Sequence, residues 1–177
     1  MGKKSQVISF CFNKEEIDIE SALKKICEKV EKSITEKNKS LIILSDKDLV
    51  KGNSVLPSLL VVGTLHHYLI DKGIRLKASL IVASGEIRDA HDLACHISYG
   101  ASAVWPYLAL ENVRKLAENT PDLGISVSEA QENYTKTLNK GLLKIMSKMG
   151  ICTVSSYRGS ELFEIIGLDK SVICLLY

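Results

Sequence analysis

Two uninterrupted apolar runs, Leu41-Ile42-Ile43-Leu44 and Leu80-Ile81-Val82, constrain this chain more than anything else in it. A strand that meets solvent on one face alternates apolar and polar residues, because successive side chains point to opposite sides. A run without alternation marks a strand covered on both faces, the usual condition of a parallel sheet. Helical periodicity lies between and around these runs. From Asp18 onward, Ile19, Leu23, Ile26, Cys27, Val30 and Ile34 recur at gaps of three and four, with Glu20/Lys24 and Glu28/Lys32 on the opposite side. Leu59 to Ile70 is apolar nearly all round, which predicts a helix buried deeply or laid against a partner.

The same alternation predicts the remaining elements. Val7 to Phe12 alternates as a strand, 88–98 and 108–118 are helical, and Ala103-Val104-Trp105 is a short strand. After the break at Thr120-Pro121-Asp122-Leu123-Gly124, a long helix runs from Ser128 to Met149. Cys152-Thr153-Val154 then reads as a strand and Ser160 to Ile166 as a last helix. Strands and helices in turn, joined by short connections, give an α/β chain with right-handed crossovers. The expectation is a single domain over residues 1–177, a parallel sheet of about four to five strands with flanking helices. That is too few strands for a complete barrel of eight units. Periodicity leaves an open sheet and a partial barrel both standing. A partial barrel needs cover for its edges and faces, and the apolar 59–70 helix and the tail Ser171 to Tyr177 suggest a homo-oligomer.

Charge and cysteine usage exclude several classes. A net charge of +2, lysines spread rather than clustered, and 6% aromatic residues argue against a nucleic-acid groove. No apolar stretch approaches the ~18 residues of a membrane span, and no leader-like segment opens the chain, so a cytoplasmic protein is expected. The five cysteines, Cys11, Cys27, Cys95, Cys152 and Cys174, are scattered without a Cys-x-x-Cys pair and read as buried reduced thiols.

Two stretches stand where α/β proteins place ligands, between a strand and the helix after it. Ser155, Ser156, Arg158, Gly159 and Ser160 offer hydroxyls, backbone amides and a guanidinium to an anion. Glu86, Arg88, Asp89 and His91 form a second polar cluster with acid–base potential. In both places a capped helix start needs the same residue types, and for the second cluster capping plus an Arg–carboxylate pair is the simpler account. His66-His67, His91 and His96 lack the spacing of a shared metal site, so neither a metal nor a catalytic residue is expected.

Several strings taken together resemble the central domain of the large subunit of glutamate synthase. They are Leu41-Ile-Ile-Leu-Ser-Asp46, Leu56-Pro-Ser-Leu-Leu60, Leu65-His-His-Tyr-Leu-Ile70, the 79–91 segment ending Gly-Glu-Ile-Arg-Asp-Ala-His91, Tyr99-Gly-Ala-Ser-Ala-Val-Trp-Pro-Tyr-Leu-Ala109, and Met146-Ser-Lys-Met-Gly through Ser156-Tyr-Arg-Gly159. Lys47 stands where the family usually has arginine. The resemblance runs from about Gln6 to Val172 and implies the second half of a rudimentary FMN-type barrel linking two catalytic domains. It implies glutamate synthase domains or subunits as partners. The family's N-terminal glutaminase cysteine has no counterpart in Met1-Gly2. Its FMN, 2-oxoglutarate and iron–sulfur residues belong to a domain that would begin beyond Leu168, so no cofactor is expected in this chain. The implied role is that of a non-catalytic scaffold in glutamate biosynthesis. The alternative is a stand-alone small-molecule or anion-binding protein or enzyme that re-uses the fold.

Overall fold

The computed structural model describes residues 4–120, 122, 124–160, 162–167 and 169. Four strands, β1 (Ser5–Ser9), β3 (Leu41–Ser45), β5 (Ser79–Ala83) and β6 (Ala103–Trp105), pair in parallel in that order. Between β1 and β3, β2 (Cys11–Phe12) leads into helix α1 (Ile19–Thr35); β2 pairs antiparallel with β4 (Ser54–Val55). Helices α2 (Ser58–Asp71), α3 (Ala90–Ser98), α4 (Tyr107–Asn119) and α5 (Val127–Lys148) follow, then the single turn α6 (Val154–Tyr157). The strand order never doubles back, as it must in a doubly wound sheet. This is the winding of a barrel carried only part of the way round.

The two faces of the sheet differ sharply. Ile8, Leu44 and Val82 stand in register, as do Ile42 and Leu80, and all are buried. They share one core with Leu23, Ile26 and Val30 of α1 and with Leu60, Leu65 and Leu69 of α2. Each such side chain contributes about 1.5–3 kcal/mol by leaving water. The opposite face carries the row Val7, Ile43, Ile81 and Ala103, one residue per strand. There Val7 is 53% exposed, Ala103 is exposed, and Ile43 and Ile81 are only half-buried. The unbroken apolar runs are thus explained by a second face that is apolar but open. Among the described residues β1 and β6 each have a single strand neighbour in the sheet, so both edges are free.

Local chemistry fixes the helices. Asp18 caps α1 by accepting from Ser21 N at 2.8 Å, and Ser126 caps α5 by accepting from Glu129 N at 3.2 Å. The apolar girth of α2 is accounted for by its place between α1, α3 and β5, which leaves Ile70 as its exposed apolar residue.

The C-terminal stretch departs from the sequence reading. Cys152-Thr153-Val154 is not a strand: Thr153 accepts from Ser156 N and opens α6, whose Tyr157 is fully buried. Among the described residues the segment joins no sheet, and the local hydroxyl–amide bond takes the place of strand pairing. Cys152 is consequently exposed rather than buried. The described residues between 160 and 167 are not helical; Phe163 and Ile165 lie against the core as parts of an irregular segment. The tail Ser171 to Tyr177 lies outside the described residues.

Gly141 marks where α5 crosses the start of α3, since a Cβ there would overlap Ala90 Cβ. In an ordinary helix interior Gly→Ala stabilises by roughly 0.5–1 kcal/mol. Here Gly141→Ala is expected to destabilise by about 1–3 kcal/mol in urea unfolding. The double variant with Ala90→Gly is expected to lose less than the sum of the two single changes; strict additivity would disprove the contact.

Candidate functional site

The C-terminal ends of β3, β5 and β6 open into a cleft of about 990 Å³ whose lining includes Asp46, Lys47, Glu86, Arg88, His91 and Tyr107. Asp46 is its fixed point, only 6% exposed. Its Oδ2 accepts from Ser84 Oγ at 2.7 Å and Gly85 N at 2.9 Å, and its Oδ1 accepts from the Tyr107 hydroxyl at 2.7 Å. Burial first, and then this bond to Asp46, push the Tyr107 phenol upward. Lys47 Nζ sits 3.7 Å from the centre of the Trp105 ring and 4.5 Å from that of Tyr107, a cation–π contact across the strand ends.

The predicted polar cluster is at this end, but its members do not converge. Glu86 Oε2 accepts from Ser58 N at 2.7 Å and Ser58 Oγ at 2.6 Å. Ser58 Oγ also meets His96 Nε2 at 2.8 Å, and His96 Nδ1 donates to Asp92 O at 2.7 Å. Asp89 is the cap of α3, accepting from His91 N at 2.8 Å and Asp92 N at 2.9 Å. Arg88 N donates to Asp92 Oδ2 at 2.9 Å. His91 Nε2 lies 3.6 Å from Cys95 Sγ and edge-on to Phe163. Burial pushes the Cys95 thiol up to about 11, with Asp92 and Asp89 adding to it, so the pair is no thiolate nucleophile.

An FMN-type fold implies a phosphate at this end, where helix starts present backbone amides. Several of the amides here are already engaged. Gly85 N is taken by Asp46, Ser58 N by Glu86, Arg88 N by Asp92, and His91 N and Asp92 N by Asp89. These five amides hold the chain's own carboxylates, whereas the start of α4 carries no side-chain cap. A Cβ at Gly85 would lie 3.3 Å from Leu108 Cδ2, so the turn is also close-packed. Among the described residues no group of three or more His, Cys, Asp or Glu side chains could hold a metal ion.

The other predicted stretch lies elsewhere. Ser155 and Ser156 are exposed and bond to Thr153 Oγ1. Arg158 Nη1 instead donates to Ser102 Oγ at 3.1 Å, Gly159 N to Ser98 O at 2.6 Å, and Ser160 Oγ meets Ser98 Oγ at 3.2 Å. Ser102 immediately precedes β6, so this is the N-terminal end of the sheet, opposite the cleft. Sequence reasoning weighed His66 and His96 only as metal ligands and did not single out Asp46, Ser58 or Arg75. A lone carboxylate directly after an apolar run was the available sign for Asp46; the others depend on contacts distant in sequence.

Arg75 Nε donates to His66 Nδ1 at 2.9 Å, which requires the neutral imidazole. Burial, then Arg75, His67 and Arg158, pull His66 down to about 4. Above its ordinary pKa of about 6.5 His66 is neutral in both the folded and unfolded chain. As pH falls from there to about 4, the unfolded chain takes up a proton that the native chain refuses, so stability is lost across this window. The loss at His66 is expected to be on the order of 3 kcal/mol. Denaturant unfolding between these limits checks it, and a His66→Gln variant is expected to flatten the slope.

A model of the glutamate synthase central domain matches residues 1–169. The chain is 44% identical over 170 residues to the glutamate synthase [NADPH] large chain of Bacillus subtilis, covering 96% of this chain and 11% of that one. It is 45% identical over 168 residues to ferredoxin-dependent glutamate synthase of Cyanidium caldarium, covering 89% of this chain and 11% of that one. Among solved structures, a flavocytochrome b2 mutant with benzoylformate is similar at a TM-score of 0.61 and 15% identity, over 85% of this chain and 38% of that one. That last likeness shows the fold alone.

Proposed function

Because the chain belongs to the glutamate synthase central-domain family, we propose that it serves there as a non-catalytic scaffold linking the glutaminase and FMN-binding synthase parts. The observation that carries this reading is the open apolar row Val7, Ile43, Ile81 and Ala103 on a sheet with two free edges. Apolar surface of this kind is normally covered, at about 25 cal/mol for each Å² removed from water. The chain spans about 11% of the length of its relatives, so the covering surface is supplied by another part of such an enzyme. The engaged amides of Ser58, Gly85, Arg88, His91 and Asp92 support the same reading, because they are not free to receive a cofactor phosphate or a substrate carboxylate.

A second reading, a stand-alone small-molecule binder, is favoured by the cleft itself, which keeps the cationic groups of Lys47 and Arg88 along its lining. The two readings separate cleanly. For the scaffold, the 177-residue chain is expected to take up neither FMN nor 2-oxoglutarate and to turn over no glutamine. It is also expected to associate with the remaining segments of a glutamate synthase large chain when these are supplied separately. Val7→Asp places a charge on an exposed position, so the isolated chain keeps its melting temperature within a few degrees. Association is expected to weaken by at least roughly tenfold, read by analytical ultracentrifugation. Stoichiometric flavin or 2-oxoglutarate uptake, or unchanged association of the Val7→Asp variant, would overturn the scaffold reading.

A further inference from the structure

At the end of the sheet opposite the cleft, two guanidinium groups lie near one another, and among the described residues no carboxylate bonds to either. Arg75, in the 3-10 turn Arg75–Lys77 that leads into β5, donates to His66 Nδ1, to Ala78 O at 2.8 Å and to Gly100 O at 2.6 Å. All three acceptors are neutral. Arg158 reaches the same region from α6, and its one bond among the described residues goes to Ser102 Oγ. Among those residues neither arginine forms an ion pair, whereas Arg114 is held by both Glu111 and Glu118. His66 is buried in the middle, and Gly100 and Gly159 both come so close to its ring that a Cβ at either would collide with it. Both glycines have positive φ, so the backbone itself is folded tightly around this cluster.

The charges explain what such a cluster lacks. Arg75 is pulled down to about 10, by burial first and then by Arg158. A guanidinium carries five N–H donors; Arg75 places three on neutral groups and Arg158 one. Ser102 Oγ accepts from both Leu80 N and Arg158, so its own O–H is left to donate. Two forks and a hydroxyl, half-withdrawn from water and with no ion-pair partner among the described residues, match the acceptor-rich surface of an oxyanion.

We propose that Arg75, Arg158 and Ser102 form a binding site for a small oxyanion, phosphate or carboxylate, at the N-terminal ends of β5 and β6. The site is independent of the scaffold reading: it uses none of the cleft residues and none of the open sheet face. Within a larger assembly the anion comes either from solution or from an acidic side chain of a neighbouring domain, and both present the same oxygens.

The test titrates the 177-residue chain with inorganic phosphate at constant ionic strength, and in parallel with acetate, following the histidine imidazole resonances. Saturable one-site binding of phosphate is expected, together with a rise of the His66 pKa from about 4 as negative charge arrives beside it. Arg158→Gln removes one hydrogen bond in the described structure and so leaves the fold in place; it is expected to weaken binding at least roughly tenfold. Lys136→Gln, on the exposed side of α5, is the control for general charge and is expected to bind as the parent does. Acetate matching phosphate assigns the site to a carboxylate; saturation by phosphate alone assigns it to a phosphate. No saturation by either ion, or equal binding by the Arg158→Gln variant, overturns the proposal, as does an equal loss with Lys136→Gln. A flavin or glutamine result would bear on the scaffold reading and leave this site untouched.

Discussion

Where a parallel strand gives way to a helix, several backbone amides arrive with no partner, and the fold depends on what accepts from them. Here the acceptors are the chain's own carboxylates. Asp46 ties the end of β3 to the turn after β5 and, through Tyr107, to the start of α4. Glu86 reaches from the turn after β5 to the first residue of α2, and Asp89 closes the start of α3. A carboxylate removed from water is tolerable only when its lone pairs meet donors. Neighbouring βα units therefore stay in place because each supplies what the next one needs. The same bonds commit the amides of Ser58, Gly85, Arg88, His91 and Asp92.

That internal closure contrasts with the other exposed regions. One face of the sheet is sealed by helices and buries Ile8, Ile42, Leu44, Leu80 and Val82. The other presents Val7, Ile43, Ile81 and Ala103 to whatever lies beyond. In a closed barrel these side chains fill the interior, and no channel remains. A barrel stopped after four strands keeps the pattern of an interior without the strands that complete it. The chain thus looks outward through packing surface and, at its N-terminal strand ends, through Arg75 and Arg158, which form no ion pair among the described residues. Membership of the glutamate synthase central-domain family agrees with a chain that is one part of a larger body.

Much of this was legible in the order of residues. The stripe of Leu23, Ile26, Val30 and Ile34 announced α1, and the runs at 41–44 and 80–82 announced the parallel strands, because burial and periodicity are local properties of a sequence. The capping role of Asp89 was legible for the same reason. The last stretch was not: a β-branched run at 152–154 has strand propensity, but a strand needs a partner, and Thr153 found Ser156 N first. Its neighbour Arg158 was read as following a strand, but with no strand at 152–154 its guanidinium reaches Ser102 at the N-terminal end of β6, away from the side chains of Ser155 and Ser156.

The amino-acid order by itself determined the α/β class, the parallel pairing and the residues that form the helical faces, since each follows from the period of apolar side chains along a few turns or strands. Only the tertiary structure decided that the winding proceeds in one direction, that one apolar face stays uncovered, and that Arg75 and Arg158 come to the same end of the sheet. Those outcomes join residues such as Arg75 and Arg158, far apart along the chain. Which distant groups meet is set by how whole elements stack, and no local period encodes that.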